Sequence, residues 1–107
     1  MPINSRQKGK VGELELAKFF RDHGFDDARR GVQYKGGGDS PDVAGLPGFH
    51  VECKRVEKGN LYDWLDQATQ DAAPGDTPLV CHRRNHRTWV AILPLTTLLR
   101  MINENSQ

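Results

Sequence analysis

Residues 41–54 read Pro-Asp-Val-Ala-Gly-Leu-Pro-Gly-Phe-His-Val-Glu-Cys-Lys. Val43 and Ala44 form a short extended step. Gly45-Leu46-Pro47-Gly48 then supplies the turn chemistry of Gly and Pro. From Phe49 the chain alternates apolar and polar, the signature of a half-buried strand. Successive strand side chains point to opposite faces. Phe49, Val51 and Cys53 therefore share one face, and His50, Glu52 and Lys54 share the other. A hairpin turn at 45–48 returns the chain beside itself and brings Asp42 toward Glu52.

Two carboxylates and a lysine gathered this way suit phosphodiester cleavage. Carboxylate oxygens hold a hard divalent cation. Such a cation polarises a phosphate and lowers the pKa of a bound water. A lysine beside it orients that water and offsets developing charge. The plainer alternative is a charged strand facing water, with a Glu-Lys pair worth little. Pro41-Asp42, the turn and the alternation together favour the site.

Working outward, residues 7–23 predict an amphipathic helix ended by Gly24. At about 100° per residue, Leu16, Ala17 and Phe20 fall on one side with Glu13 in the middle, while Glu15 points away with Lys18 and Asp22. A carboxylate on an apolar face calls for a partner: a metal ion, the Lys54 ammonium or an arginine. Gly9 and Gly12 weaken that helix and suit a close approach by backbone or by DNA. Residues 28–34 read as extended and 35–40 as a loop. Strands follow near 42–44 and 49–55. A second helix spans 60–73, with Asn60 as N-cap and Leu61, Leu65, Ala68 and Ala72 as its buried stripe. Strands at 78–83 and 88–93 are joined by an Arg-Asn-His-Arg turn. Pro94 opens a C-terminal helix containing Leu95, Leu98, Leu99 and Ile102, and residues 103–107 are expected to fray. Off the stripe of the second helix, Gln67 is placed either to reach the site or to face solvent. His50, Trp64 and Tyr62 read first as packing residues, and Asp39 as a loop cap.

A chain of 107 residues, 36% hydrophobic and 27% charged, is one domain's worth of ordinary globular composition. No apolar run approaches the roughly 18 residues of a membrane span, and Met1–Arg6 lacks an apolar leader core. The expected location is therefore cytoplasmic. Cys53 and Cys81 read as buried thiols in a reducing compartment, with a disulfide as the lesser alternative. The Cys and His spacings make no zinc pattern. With a net charge of +1, only charge distribution speaks of nucleic acid. Arg6, Lys8 and Lys10 precede or open the first helix; Arg29, Arg30 and Lys35 flank a triple glycine; Arg83, Arg84 and Arg87 cluster with His82 and His86. Acids gather elsewhere, at Asp63, Asp66, Asp71 and Asp76. Such segregation suits one phosphate-facing side, although solvated surface charge explains any single cluster as well.

Glu13 in a first helix, Pro41-Asp42, Glu52-Cys53-Lys54 and Gln67 in the next helix resemble, in order and spacing, the PD-(D/E)XK nuclease superfamily. Residues 38–43 and 51–55 are most similar to small phage and archaeal-type Holliday junction resolvases and the related VRR-NUC nucleases. The resemblance covers roughly residues 6–72. It implies an α/β fold with a restriction-endonuclease-like core, a mixed β-sheet flanked by helices. It also implies DNA cleavage dependent on Mg²⁺, with Mn²⁺ as substitute, leaving a 3′-hydroxyl and a 5′-phosphate. By the same resemblance Glu13, Asp42 and Glu52 bind metal, Lys54 is catalytic and Gln67 supports it. Members are often homodimers, and a phage-encoded protein would act in a bacterial host.

The chain is thus read as a single nuclease domain, 1–107, acting on branched DNA such as Holliday junctions. The short chain and its aromatic and aliphatic surplus, Trp64, Trp89, Leu98 and Leu99, point to a homodimer. Two competitors stand beside this reading. One is the same fold acting on single-stranded, flap or duplex DNA. The other is a catalytically silent DNA-binding module, which the uncompensated charges of an unused site argue against.

Overall fold

A computed structural model describes the backbone of residues 5–31 and 40–106, with side chains from residue 9 onward. Among these residues three helices and five strands follow in the order α1 (Ser5–Asp22), β1 (Arg29–Arg30), β2 (Val43–Ala44), β3 (Phe49–Lys54), α2 (Leu61–Asp71), β4 (Thr77–His82), β5 (Val90–Ile92) and α3 (Leu95–Asn105). The strands form one sheet in chain order. Neighbours run antiparallel except β3 and β4, which are parallel, with Phe49 opposite Thr77 and Lys54 opposite His82. The fold is α/β, with a mixed five-stranded sheet flanked by helices.

The β3–α2–β4 unit is the crossover that a parallel pair demands. It also explains where β3 departs from its expected half-burial. One face, with Phe49, Val51 and Cys53, packs on Leu16 and Ala17 of α1 together with Val43, Leu79 and Cys81. The other face is covered as well: His50 is 2% and Glu52 5% exposed. Above that face lie Trp64, its ring tilted against that of His82, and the buried Ala68 of α2. Alternation alone suggests a strand wet on one side; a strand in a βαβ unit is covered on both.

Boundaries differ modestly from expectation. The strand expected over 28–34 is Arg29–Arg30 within the described residues, and most of the expected 35–40 loop lies outside them. The second hairpin strand is Val90–Ile92, because Arg87–Trp89 belong to the turn region, where His86 takes a positive φ of 63°. Asn60 caps α2 as expected, its side chain accepting from the Tyr62 and Asp63 amides. Rather than fraying at 103, α3 continues to Asn105. Gly12 is buried because the strand end lies against it: a Cβ there would stand 2.6 Å from the Arg55 Cβ. The close approach at Gly12 is thus made by the protein itself, whereas Gly9 faces open space.

Leu16 is the largest wholly buried aliphatic of the α1 face. Leu16→Ala is expected to cost about 2–5 kcal/mol, a large share of the roughly 5–15 kcal/mol that holds a domain folded. Urea unfolding would show a lower midpoint at an unchanged slope.

Candidate active site

Asp42 is held by backbone on both sides. Its amide donates to the Val51 carbonyl at 2.8 Å, and its own carbonyl accepts from the Gly31 amide at 2.8 Å. Its side chain turns toward β3, where Oδ2 accepts from the Cys53 amide at 2.8 Å. A short step leading into β2 against the longer β3 therefore aims the Asp42 carboxylate at the residue next to Cys53, which is Glu52. The two carboxyl groups lie close enough for a proton on one to be shared with the other. Lys54 lies two residues along β3 on the face of Glu52, half-buried.

The electrostatics follow from this crowding. Burial first, then the Asp42 charge and hydrogen bond, then the charge of Asp71, push the Glu52 carboxyl up to about 8, against the pull of Lys54. Two carboxylates so close resist ionising together, so Glu52 retains a proton where an isolated glutamate would have released it. Glu13 of α1 is pushed up by burial and by Asp42, opposed by Arg30. Of the partners open to Glu13 from its sequence position, an arginine is present: the Arg30 Nε donates to its Oε1 at 2.7 Å. Glu13 thus reaches the electrostatic neighbourhood of Asp42 from the α1 side while anchored to β1.

On the α2 side, Glu52 Oε1 lies 2.8 Å from the Nε2 of His50, the strand histidine read first as packing. Gln67 is exposed and makes no hydrogen bond with the site among the described residues. The helix reaches Glu52 one turn later, through the half-buried Asp71. The sequence groups Asp71 with acids away from the site; the structure places it beside Glu52. Its signal in the sequence was its spacing, three residues past the buried Ala68 and one turn beyond Gln67.

Two donor sets therefore meet at Glu52. Asp42 and Glu52 offer oxygen alone, which fits a hard cation such as Mg²⁺ or Mn²⁺. His50, Glu52 and Asp71 have ligand atoms all within 4.8 Å of one another, a mixed nitrogen and oxygen set that leans toward transition metals.

The basic residues divide into engaged and unengaged. Arg30 is bound to Glu13. Arg83 pairs with Glu15 and donates to the Arg87 carbonyl. Glu15, expected to point away from the body of the protein, instead joins Arg83 and Arg55 across α1 and the sheet. Lys10, Arg29, Arg84 and Arg87 are exposed and without an ion pair among the described residues. Lys35 and the side chains of Arg6 and Lys8 lie outside the described residues.

The two cysteines are free thiols, although Cys53 stands opposite Cys81 in the sheet. Burial raises both, Cys81 to about 12, so neither is a nucleophile at neutral pH.

Residues 4–107 match the family model described as phage putative PDDEXK endonuclease. The chain belongs to this family. No curated protein and no solved structure matches it. Membership places the chain in a nuclease superfamily that uses divalent metals, and the acid-rich cluster around Glu52 is consistent with that use. No helix among the described residues is long and apolar enough to cross a membrane.

Proposed function

We propose that this family member is a Mg²⁺-dependent DNA endonuclease, with Mn²⁺ as a substitute, that incises branched DNA such as four-way junctions as a homodimer in the cytoplasm of a phage's bacterial host. The observation that carries the reading is the contact between the Asp42 and Glu52 carboxyls with Lys54 on the same strand face. A divalent cation held there supplies Lewis-acid charge and an acidified water. Asp42 and Glu52 would hold it, Glu52 giving up its proton. Glu13, restrained by Arg30, adds negative charge from the far side of Asp42. The Lys54 ammonium orients the attacking water and stabilises charge developing on the phosphate. Lys10, Arg29, Arg84 and Arg87 supply phosphate contacts whose strength falls with added salt.

The test is cleavage of a panel of four-way junction, flap, duplex and single-stranded DNA in Mg²⁺ and in Mn²⁺. Paired incision of the junction is expected; preferred cutting of flap or single-stranded DNA would replace the junction assignment, and no cutting of any substrate would favour a silent binding module. In the same assay Asp42→Asn and Lys54→Ala should both lose cleavage. They should differ in calorimetric Mn²⁺ titration: Asp42→Asn loses a ligand, whereas Lys54→Ala binds as well or slightly better, because a like charge has been removed. Normal cleavage by Lys54→Ala would make Lys54 a surface charge only.

A further inference from the structure

The C-terminal helix is set with its apolar stripe outward. Leu95, Leu98, Leu99 and Ile102 fall within an arc of about 100° at helical spacing. They are 67, 43, 49 and 51% exposed. The residues that α3 turns toward the sheet are its less apolar ones. Thr97 and Met101 are half-buried, and Arg100, Met101 and Glu104 line a cleft with Gly48, Phe49 and Thr77. Among the described elements α3 has no extensive packing partner. An amphipathic helix in water ordinarily buries its apolar stripe and exposes its polar face. Here the stripe is left for something else to cover.

Three features of the stripe indicate a second copy of this chain. The pattern reads the same in both directions about the midpoint between Leu98 and Leu99. Two α3 helices laid antiparallel about a twofold axis therefore set Leu95 against the partner's Ile102 and Leu98 against the partner's Leu99. That reciprocity is what an isologous interface requires. The charged residues, Arg100 and Glu104, fall outside the arc, so two copies meet without opposing like charges. The size is also informative. A standard interface takes about 800 Å² from each partner, a tenth of a small protein's surface, and this chain exposes 7722 Å². A helix of 11 residues is only about 16 Å long, so the pair lies at the small end of that range and its association is concentration-dependent.

We infer that the Leu95/Leu98/Leu99/Ile102 face of α3 is a homodimer interface formed by antiparallel packing on the same helix of a second copy. The inference rests on the homodimer part of the proposed function and names its surface. Sedimentation equilibrium tests both. The mass of the wild-type chain should rise from 12.0 kDa toward twice that value over roughly 1–200 µM, the range of a small interface. The variant carrying Leu98→Glu and Leu99→Glu should remain at 12.0 kDa throughout, with its circular dichroism unchanged and its melting temperature equal to that of the wild type at concentrations where both are monomeric, because both side chains are exposed in the single chain. The antiparallel register has its own test. A chain carrying both Leu95→Cys and Ile102→Cys should form intermolecular disulfides on mild oxidation. Either substitution alone should not, nor should the wild type with Cys53 and Cys81. A wild-type chain that stays monomeric overturns the homodimer reading and this surface together. A dimer that survives the double glutamate substitution overturns the surface alone. Cross-linking through Leu95→Cys by itself overturns the antiparallel arrangement.

Discussion

Glu52→Gln is expected to abolish cleavage and, in metal-free protein at about pH 8.5, to raise the melting temperature by roughly 5 °C or more. Both effects come from one carboxyl. Burial, Asp42 and Asp71 raise Glu52 from its ordinary 4.5 to about 8. Between these values the folded chain holds a proton that the unfolded chain has released. The stability tied to that proton is fully present below the lower value and is lost as pH rises through the upper one. The metal-free wild type should therefore melt lower near pH 8.5 than near pH 5, and the neutral glutamine should remove most of that slope. Mg²⁺ or Mn²⁺ should stabilise the wild type at the higher pH by binding the folded state, and should do so much less for the variant. Lost Lewis-acid stabilisation of several kcal/mol corresponds to a rate deficit of about 10³-fold. Scanning calorimetry at two pH values, with and without metal, reads the stability half, and the junction assay reads the other. A variant that melts no higher than wild type at alkaline pH would show that Glu52 is not a strained acid.

Gly31→Ala is expected to slow cleavage more than any other substitution that touches no ionisable group. Gly31 has no positive φ, so its constraint is space. A Cβ at this position would lie 1.9 Å from the carbonyl oxygen of Pro41. That atom is backbone, and it immediately precedes Asp42. The Gly31 amide is also what holds the Asp42 carbonyl, at 2.8 Å. The added methyl must push the Pro41-Asp42 arm away from β1, costing roughly 1–3 kcal/mol of stability. It also moves the Asp42 carboxylate from Glu52 and the Cys53 amide, and a displacement of about 1 Å at a reacting centre can cost 100-fold in rate. Weaker Mn²⁺ binding should accompany the slower cleavage. Gly9→Ala is the control: nothing lies within 4 Å of its added methyl, and a helical Gly→Ala change gains up to about 1 kcal/mol. Equal activity in the two variants would rule out a positioning role for Gly31.

Local chemistry made much of this protein legible before folding was considered. Asn60 caps its helix because an asparagine side chain satisfies two free amides wherever a helix begins. Gly45 and Gly48 take positive φ, and the turn they make returns β3 antiparallel to β2. Strand alternation placed His50, Glu52 and Lys54 on one face and Phe49, Val51 and Cys53 on the other, and helical periodicity placed Glu13 among Leu16, Ala17 and Phe20. These are consequences of repeat lengths within one element, and one element suffices to read them.

Where two distant elements meet, the sequence was silent. The alternation of β3 could not reveal that its polar face would be roofed by α2, so the burial of His50 and Glu52, and with it the raised Glu52 carboxyl, belongs to the tertiary structure. Asp71 looked like one more surface acid; only the crossover brings it to Glu52. Glu13 plainly lacked a partner in the sequence, but the choice of Arg30 depended on α1 crossing β1. The stripe of α3 was visible as apolar, yet its outward orientation depends on which face the sheet accepts. The sequence by itself determined the elements, their faces and the acid-acid-lysine set, because these depend on spacings of a few residues. Tertiary structure alone decided the raised Glu52 carboxyl and the engagement of each arginine, because desolvation and Coulomb interaction depend on distances between residues far apart in the chain.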